Sequence, residues 1–501
     1  MDHSALSVVR VRHAGRMATT YGSAGDSGTG RDAATAHAWA ALGGRPELVT
    51  RVSYEQDAGD VLRARLPVRD LARTAVGACS LAAAELSAVR SGAADVVDAA
   101  DVPPVRVSEG AVATAFHSER LLRVDGRAPA NFAPLSGFWR TADSWVRTHA
   151  NYPHHRARLL AALDIPDDGT RDDDALAEML AGELATRTAS DVQDLVYEAG
   201  GLAVALAPSP APSDGPPLPL VESHRAGAAG QRRLSPASLP AEGVRVLDLT
   251  RVLAGPLAAR TLALLGADVL RVDPPQLRED ADTHTDTGMG KRSALLDVGE
   301  PGDREVFDGL LASADVVLCA YRPGALDRLG LAQETLLERH PGLIVAQLNA
   351  WGWQGPWAVR RGFDSLVQVR TGIASIEGEG EGQDMDGTAG GRPGVLPAQA
   401  LDHSTGYLVA GGVLRALTER QYDSRGRSLR FSLAGTASWL MHGLRPTVPA
   451  DGRYDPRRWM TTSLSPYGML DHALSPVRYE GSPRAWSRSV SRWGTDSPVW
   501  R

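Results

Sequence analysis

The sequence predicts an α/β protein, with a parallel sheet and flanking helices in the C-terminal half and a smaller α+β region supplied by the N-terminal half. Three observations predict this division. Short β-rich runs alternate with helical stretches after residue 240, at the spacing of βαβ units. Before residue 208, the chain carries mainly helical patterns and one hairpin pattern. Between the two halves, eight of the 32 prolines fall within 33 residues.

This proline-rich segment, residues 208–240, is predicted to be a linker, because fixed φ angles and missing amide donors oppose a long helix or a central strand. It separates an N-terminal region, residues 1–207, from a C-terminal region, residues 241–501. A second soft stretch, residues 378–394, is acidic and glycine-rich. It predicts a mobile loop, which is either a lid or an ordinary surface insertion.

The N-terminal region has patterns of both element types. Apolar residues recur at helical spacing in residues 70–86 and 156–163, which predicts two helices. Residues 136–149, SGFWRTADSWVRTH, predict a β-hairpin with its turn at Ala142-Asp143-Ser144. An α+β region is therefore expected here.

The C-terminal region opens with a strand, loop, helix and strand that fit one βαβ unit of about 30 residues. A strand over residues 244–249 precedes a helix that starts at Pro256, where proline suits the first turn. Gly266 is the expected residue beyond the C-cap of this helix, and Asp268–Asp273 is the next strand. Later elements continue the alternation, with strands at residues 293–298, 315–321 and 343–351 and helices at residues 304–314 and 326–339.

Composition excludes several classes of protein. The 501 residues are 43% hydrophobic and 23% charged, close to a globular average, and no run of about 18 apolar residues could span a membrane. The N-terminal residues lack the continuous apolar core of a signal peptide. Cys79 and Cys319 are too few for a disulfide framework or a zinc site. We therefore expect a protein of the reducing cytoplasm that does not bind membranes.

The charge pattern gives no support to nucleic-acid binding, because the formal net charge is −7. Lys291 is the only lysine among the 53 Lys and Arg residues. An anion site must therefore be built largely from arginine, which makes forked contacts to phosphate and carboxylate. The loop TRVLAG after the first C-terminal strand lacks GxGxxG, and no P-loop motif occurs, which disfavours NAD and ATP sites.

Residues 243–275, GVRVLDLTRVLAGPLAARTLALLGADVLRVDPP, resemble the opening of the family III CoA-transferases of CaiB/BaiF type. This group includes formyl-CoA, carnitine and succinyl-CoA transferases and 2-methylacyl-CoA racemases. The resemblance implies a Rossmann-like sheet, an acyl-CoA and a carboxylic acid as substrates, and neither a prosthetic group nor a metal. Later family motifs are matched in the same order by GKRSALLDV at residues 290–298, YRPGALDRLGL at 321–331, RRGFDSLVQVRTG at 360–372 and LDHSTGYLVAGGVLRAL at 401–417.

The resemblance also implies where CoA binds. The phosphates of CoA need cations and exposed backbone amides, and Arg251, Arg322, Arg328 and Arg361 follow predicted strands or open the next helix. Each of these arginines, taken alone, also fits a solvated surface charge. By their places in the family motifs, the residues implied to line the CoA site are Leu253, Ala254, residues 296–299, Ala320, Tyr321, Arg322, Arg328, Arg361, Gly362, Phe363 and Asp364.

Three features near this site leave alternatives open. Lys291 and Arg292 match the KRS segment of the family, and both phosphate binding and pairing with nearby aspartates fit them. Ala320 occupies a place where many relatives have asparagine. The glycine-rich loop that covers the active site of formyl-CoA transferase is not evident in this sequence.

Asp402 is the candidate nucleophile. It precedes an apolar run of helical length, so its carboxylate is expected in the first turn of a buried helix, whose N-terminus stabilises an anion. Spacing alone favours an N-capping aspartate; the resemblance implies the nucleophile of the family, and the two roles can coexist. The adjacent His403 points about 100° away on a helix, so we expect packing or a ligand contact rather than a direct pair with Asp402.

The resemblance implies an acyl-CoA:carboxylate CoA-transferase, which works through mixed anhydrides and an aspartyl-CoA thioester and must exclude water. The racemase branch needs a histidine opposite the aspartate, in a motif that reads roughly GHD. This chain has Gly362-Phe363-Asp364 there, and Phe363 cannot carry a proton. A 2-methylacyl-CoA racemase or epimerase is therefore the second interpretation, and a degenerate CoA-binding protein without catalysis is the third.

The N-terminal region is expected to supply parts that the C-terminal region lacks. Residues 136–166 resemble the segment that opens the small domain of the family. Residues 39–86, which include LGGRP, weakly resemble the surroundings of the nucleophile in a second, degenerate copy. Asp70 is a weak candidate nucleophile there, and a surface or capping role fits it better. The resemblance implies a homodimer, or an internal pseudo-dimer if fusion has replaced it.

Overall fold

A computed structural model describes residues 32–91, 98–129, 132–167, 169–208, 218–228, 233–378 and 391–501. The helices in these ranges are α1 (Ala33–Ala41), α2 (Val68–Arg90), α3 (Glu109–Ala115), α4 (Ser118–Leu121), α5 (Pro153–Ala162), α6 (Asp173–Leu184), α7 (Ala189–Glu198), α8 (Ala254–Leu264), α9 (Ala281–Thr287), α10 (Pro301–Ala312), α11 (Gln333–Arg339), α12 (Asp364–Arg370), α13 (Ile373–Glu377), α14 (Ala400–Asp423) and α15 (Leu433–Ser438).

The strands in the same ranges are β1 (Val52–Glu55), β2 (Val105–Ser108), β3 (Arg123–Val124), β4 (Phe138–Arg140), β5 (Trp145–Thr148), β6 (Ala203–Ala205), β7 (Glu222–Ala228), β8 (Arg245–Leu249), β9 (Asp268–Asp273), β10 (Arg292–Leu295), β11 (Val316–Cys319), β12 (Ile344–Asn349), β13 (Arg425–Ser432), β14 (Met460–Ser465) and β15 (Gly468–Ala473).

Most strands of the C-terminal region form one sheet of seven strands within the described residues, in the order β10-β9-β8-β11-β12-β13-β7. The first six strands are parallel to their neighbours, and β7 pairs antiparallel with β13 at the edge. The predicted α/β class with a parallel sheet is confirmed. The chain runs outward in opposite directions from β8 and β11, and a crevice opens at the carboxyl ends of such neighbouring strands.

Helices cover both faces of this sheet, which explains why the central strand β11, VVLC, is apolar and buried along its whole length. In β11, Val316 and Leu318 face the main core, which contains α8, α14 and α2, whereas Val317 faces a second core with α10 and α11. The predicted turn beyond α8 is also observed. Gly266 follows the C-cap with φ +103°, a conformation that favours glycine.

One predicted helix is divided in the structure. Residues 326–339 were expected to form a single helix, but they form a short 3₁₀ turn, Asp327–Leu329, and then α11. Gly330 separates the two with φ +65°. A residue in the left-handed region cannot continue a right-handed helix. The apolar pattern runs on through Gly330, which is why the sequence predicted one helix instead of two elements.

The expected linker also contains regular structure. Its residues Glu222–Ala228 form the edge strand β7, and Glu222 pairs with Arg430 of β13. The stretch ESHRAGA has no proline, so its amides can join the sheet. The strand was not predicted because the prolines on either side of it dominate the composition of residues 208–240. Residues 209–217 and 229–232 lie outside the described residues, as do residues 379–390 of the predicted mobile loop.

The predicted elements of the N-terminal region are present. The helix expected at residues 70–86 lies within α2, and the one expected at residues 156–163 corresponds to α5. The hairpin is formed by β4 and β5, and the amide of Thr141 donates to the carbonyl oxygen of Ser144 across the turn, at 2.9 Å. β6 completes a small sheet, order β4-β5-β6.

The two halves of the chain share one core. α2 packs along α14, and a Cβ added at Gly411 of α14 would lie 3.3 Å from Cys79 Cα, so the two backbones approach closely. Arg415 of α14 forms an ion pair with Glu85 of α2, and only 5% and 4% of their surfaces are exposed. A buried pair of this kind makes each half depend on the other, because the loss of either partner leaves the other charge buried and uncompensated.

Replacing Glu85 with alanine should lower the free energy of unfolding by about 3 kcal/mol, because it leaves the Arg415 charge buried without its main partner. Urea unfolding followed by circular dichroism measures this loss. The matched control is Glu183→Ala, which breaks the more exposed pair with Arg187 and should cost less than about 1 kcal/mol. Equal losses in the two variants would contradict a special role for the buried pair.

Candidate functional site

A cavity of about 1230 Å³ lies at the carboxyl ends of β8 to β12. Its position matches the crevice expected where the strand order reverses. The residues that these strand ends contribute to its lining are Leu249, Arg251, Val252, Val272, Pro274, Gln276, Leu277, Leu296, Asp297, Val298, Gly299, Ala320, Tyr321, Arg322, Gly324, Ala325, Leu326, Arg328, Leu329, Leu331, Asn349 and Ala350.

The N-terminal region forms another wall of this cavity. Tyr152, His154, His155 and Arg158, at the start of α5, all line it. Sequence reasoning did not assign these residues to the site. The available signal was HANYPHH, which places three of the 13 histidines within seven residues.

Arginines converge where the two halves meet. Arg322, Arg361 and Arg158 line the cavity, and no described carboxylate forms an ion pair with any of the three. Burial and the positive charges of Arg322 and Arg158 lower the pKa of Arg361. Uncompensated positive charges in a cavity attract an anion, so this wall suits a phosphate or a carboxylate.

Tyr152 is tied to the floor of the cavity through Glu279. The Tyr152 hydroxyl donates to Glu279 Oε1 at 2.9 Å, while Glu279 Oε2 accepts from Arg271 Nη2 at 3.1 Å and from the amide of Val252 at 3.2 Å. Val252 has φ +71°, which is strained for a β-branched residue. Such strain persists only where surrounding contacts impose it, and it often marks functional loops.

The residues predicted from the family motifs fall into two groups. The first group lines the cavity, as do residues 296–299 and Ala320. The second group is buried outside the lining. The first group is Tyr321, Arg322, Arg328, Arg361, Gly362 and Phe363. The second group is Leu253, Ala254, Asp364 and Asp402.

Gly362 allows this wall to approach the sheet. A Cβ added there would lie 2.6 Å from the Ala350 Cβ and from the Trp351 ring. The Trp351 indole also donates to the carbonyl oxygen of Arg361, at 3.1 Å. Close backbone approach therefore fixes Arg361 and Phe363 at the cavity.

Asp364 caps the helix that carries the candidate nucleophile. Its Oδ2 accepts hydrogen bonds from the amides of Leu401 and Asp402, both at 2.9 Å, and its Oδ1 accepts one from the Gln368 side chain. Burial raises the pKa of Asp364, although these donors oppose the shift. The amides at the N-terminus of α14 are thus satisfied by a carboxylate from another segment.

Asp402 is the third residue of α14, so its carboxylate lies in the first turn, and 6% of the residue is exposed. Gln399 occupies the N-cap position without a side-chain bond, so Asp402 is not the cap. No described residue donates a hydrogen bond to the Asp402 carboxylate. Burial and the charges of Asp364 and Glu119 raise its pKa well above the usual value.

The neighbouring His403 does not pair with Asp402, as expected. Its Nε2 lies 3.2 Å from Oε2 of Glu119, which belongs to the N-terminal region, and its ring stacks on Phe116 with a centroid distance of 4.9 Å. His403 is fully buried. It therefore joins the two halves next to the candidate nucleophile.

Phe363 stacks face to face on His149, with ring centroids 3.7 Å apart, and His155 meets it edge-on at 5.8 Å. Burial lowers the pKa of His149 and of His155 to about 3 in each case. Both imidazoles are therefore neutral at pH 7, and together with Phe363 they form an uncharged patch beside the arginines.

Lys291 and Arg292 are paired with aspartates and do not line the cavity. Lys291 Nζ lies 2.9 Å from Asp248 Oδ2, and Arg292 Nη2 lies 2.8 Å from Asp268 Oδ1. Both cationic residues are buried. Burial lowers the pKa of Lys291 to about 8, although Asp248 opposes this shift. Of the two roles left open by the sequence, the contacts favour pairing.

Asp70 occupies a place in α2 like that of Asp402 in α14, since it is the third residue of a long buried helix. Its surroundings differ. Asp70 Oδ1 lies 3.1 Å from Arg73 Nη2 and accepts from the Thr447 hydroxyl at 2.5 Å, and Oδ2 accepts from the Thr447 amide at 3.1 Å. The carboxylate is therefore engaged in structural contacts.

Other classes of site were sought in the described part of the chain. It contains no group of three or more His, Cys, Asp or Glu side chains placed to hold a metal ion. Cys79 and Cys319 are both buried and not in disulfides. None of the described helices has the length and apolar character needed to cross a membrane.

Comparison with known families assigns the chain to one of them. The family model described as CoA-transferase family III matches residues 17–211 and 241–468, which is more than half of the chain. The chain belongs to CoA-transferase family III. Both the N-terminal and the C-terminal region of this family III member are matched, which fits a rearranged member of the family.

Three curated relatives are similar to parts of this family III chain. Acetyl-coenzyme A transferase nodX of Hypoxylon pulicicidum is 31% identical over 44% of this chain and 35% of its own length. The probable fatty acyl-CoA transferase Rv3272 of Mycobacterium tuberculosis is 35% identical over 36% and 47%. A formyl-CoA:oxalate CoA-transferase of Rhodopseudomonas palustris is 35% identical over 37% and 44%. The matches thus span less than half the length of each relative.

A variant of Lys291 separates pairing from phosphate binding. Lys291→Met leaves Asp248 buried without its cation and should lower the free energy of unfolding by about 3 kcal/mol. Its affinity for CoA, measured by calorimetry below the unfolding range, should stay within twofold of the parent value. A stable variant that no longer binds CoA would instead make Lys291 a phosphate ligand.

Proposed function

We propose that this protein is an acyl-CoA:carboxylate CoA-transferase in which Asp402 is the nucleophile. The observation that carries the proposal is the link between the arginine-lined cavity and Asp402: Phe363 lines the cavity, and the next residue, Asp364, accepts a hydrogen bond from the Asp402 amide. The Asp402 carboxylate itself has no hydrogen-bond donor among the described residues. Family membership supports the same reaction class. Placement in the cytoplasm and the absence of nucleic-acid partners stay predictions.

The cavity suits CoA in size and charge. Its volume exceeds the range of about 300–1,000 Å³ typical of small-ligand pockets, and CoA is a long ligand with three phosphates. Arg158, Arg322, Arg328 and Arg361 would bind those phosphates, since guanidinium groups form paired hydrogen bonds with phosphate oxygens. The Rossmann-like arrangement of the sheet would place the ligand at the strand ends, as in other open α/β sheets.

The uncharged patch of Phe363, His149 and His155 would face the reacting end of the ligand. Phe363 lines the cavity and directly precedes Asp364, which holds the first turn of α14. We propose that the thioester approaches Asp402 past Phe363. Apolar rings at that place would help to exclude the water that hydrolyses an anhydride.

Covalent transfer would then take place in four steps. The Asp402 carboxylate attacks the thioester carbonyl, a C–O bond forms, the C–S bond breaks and the CoA thiolate leaves. The thiolate attacks Asp402 Cγ and releases the donor acid, which gives an aspartyl-CoA thioester. The acceptor carboxylate attacks Cγ and expels the thiolate. The thiolate finally attacks the acceptor's acyl carbon and regenerates the Asp402 carboxylate.

Several features of the N-terminal region support an internal pseudo-dimer. α2 and α14 are packed helices of similar length with an aspartate at the third position, and β1 pairs in parallel with β2 as β12 does with β13. Ser108 and Ser432 each cap the helix that follows. We therefore propose that residues 1–207 act as a degenerate second copy with a small-domain-like part, joined through residues 208–240 to the large domain, residues 241–501.

Replacing Arg361 with alanine should weaken CoA binding by about 1.5–3 kcal/mol, the loss expected for a hydrogen bond to a charged group. Arg158→Ala, in the other half of the chain, and Arg328→Ala should have similar effects. Calorimetric titration with CoA measures the affinity of each variant. Arg187→Ala, an arginine remote from the cavity lining, is the control and should bind normally. Unchanged affinity in all three test variants would refute the proposed phosphate contacts.

Replacing Asp402 with asparagine should reduce CoA transfer by several orders of magnitude, because the amide cannot form an anhydride. Its stability at pH 7 should match or exceed that of the parent. The raised pKa of Asp402 means that the folded protein loses stability as the pH rises above the carboxyl's usual value of 3.8, and asparagine removes that loss. Transfer is assayed with a panel of acyl-CoA donors and carboxylic acids. Transfer at the parent rate would refute the nucleophile.

A further inference from the structure

A short segment of the N-terminal region holds the start of the nucleophile helix. His117 Nε2 lies 3.2 Å from the carbonyl oxygen of Pro397, and Arg120 donates to the same oxygen at 2.7 Å. Phe116 stacks on His403. This segment, residues 116–120, therefore contacts both the loop before α14 and the first turn of α14.

The segment is itself anchored to the other half. The Ser118 hydroxyl donates to Asp286 Oδ2 at 2.8 Å, and the other carboxylate oxygen of Asp286 accepts from Arg260 at 3.1 Å. All three residues are buried. The position of Glu119 relative to α14 is thus fixed from both sides.

Glu119 has contacts that packing alone does not explain. Its Oε2 pairs with His403 Nε2 at 3.2 Å, whereas the buried Oε1 accepts no hydrogen bond from any other described residue. His403 Nδ1 is also buried and has no hydrogen-bond partner among the described residues. A buried carboxylate oxygen without a donor from another residue reduces stability, and such groups in native proteins call for an explanation.

We propose that Glu119 is a positioning residue for Asp402, which fixes His403 and adds its carboxylate charge to that of Asp364 near the nucleophile, so that acylation of Asp402 relieves the repulsion. This inference rests on the proposed function. It assigns to the N-terminal region a direct influence on the reacting group.

The physical basis is the loss of charge in the first step. As Asp402 attacks, its carboxylate becomes part of a neutral anhydride, and the negative charge leaves on the CoA thiolate. Repulsion from Glu119 is present before that step and absent after it, which lowers the barrier. The charged and titratable groups that face Asp402 or its neighbours are Glu119, Arg120 and His117 from the α4 segment, Asp364 from α12, Arg147 from β5 and His403 from α14 itself.

The test is the pH dependence of kcat/KM for CoA transfer, whose acid limb reports the ionisation of the free nucleophile. Glu119→Gln removes the charge and keeps the shape. The acid limb should move down by roughly one pH unit, because a neighbouring like charge raises a carboxyl pKa by about that much. The plateau above the limb should fall by about tenfold, the same energy expressed as a rate.

Two further variants control this experiment. Glu119→Asp keeps the charge and should keep the acid limb of the parent, whereas Glu183→Gln removes a carboxylate far from Asp402 and should change nothing. A loss of activity without movement of the limb in Glu119→Gln would assign a merely structural role and overturn the proposal. If Glu119→Gln does not fold, Glu119→Asp decides, and a shifted limb in that variant overturns the proposal.

The outcome also separates this inference from the proposed function. If the parent protein transfers no CoA and forms no adduct on Asp402, the proposed function fails. If the parent forms the adduct and Glu119→Gln leaves the acid limb in place, the inference about Glu119 fails while the function stands.

Discussion

The candidate site depends on one capping interaction, in which the Asp364 carboxylate accepts hydrogen bonds from the amides of Leu401 and Asp402. Because another segment satisfies these amides, the Asp402 side chain is not needed as the helix cap. The same contact places a second buried carboxylate beside Asp402, and burial together with the Asp364 charge raises the pKa of Asp402. Phe363, directly before Asp364, lines the cavity. One short segment thus links the cavity wall to the first turn of α14.

The N-terminal region completes this arrangement and cannot be separated from it. Arg158 adds a cation to the lining of the cavity, Tyr152 donates a hydrogen bond to Glu279, and Glu119 pairs with His403. The first two contacts come from the start of α5 and the third from α4. All three residues contact the C-terminal region or line the cavity with it, which agrees with a single core shared by both halves. A site built across two halves is expected to lose function when either half is altered.

The sequence predicted the parts of this structure that depend on local pattern. Alternating apolar runs identified the strands of the sheet, and glycine at position 266 identified a helix end, because both signals lie within a few residues. The break at Gly330 and the edge strand Glu222–Ala228 were not predicted. A single glycine within a helical pattern, or seven residues without proline within a proline-rich segment, is too weak a local signal. Contacts such as that of Glu119 with His403, 284 residues away, leave no local signal. Only folding brings them together.

The most direct test of the account is mass spectrometry of the intact protein and its peptides after incubation with acyl-CoA donors. A covalent aspartyl thioester is an obligatory intermediate of the proposed reaction. If Asp402 is the nucleophile, a CoA adduct should form on the peptide containing Asp402, hydroxylamine should remove it, and Asp402→Asn should never acquire it. Transfer of CoA without any adduct on Asp402, or an adduct on another residue such as Asp70, would contradict the central claim.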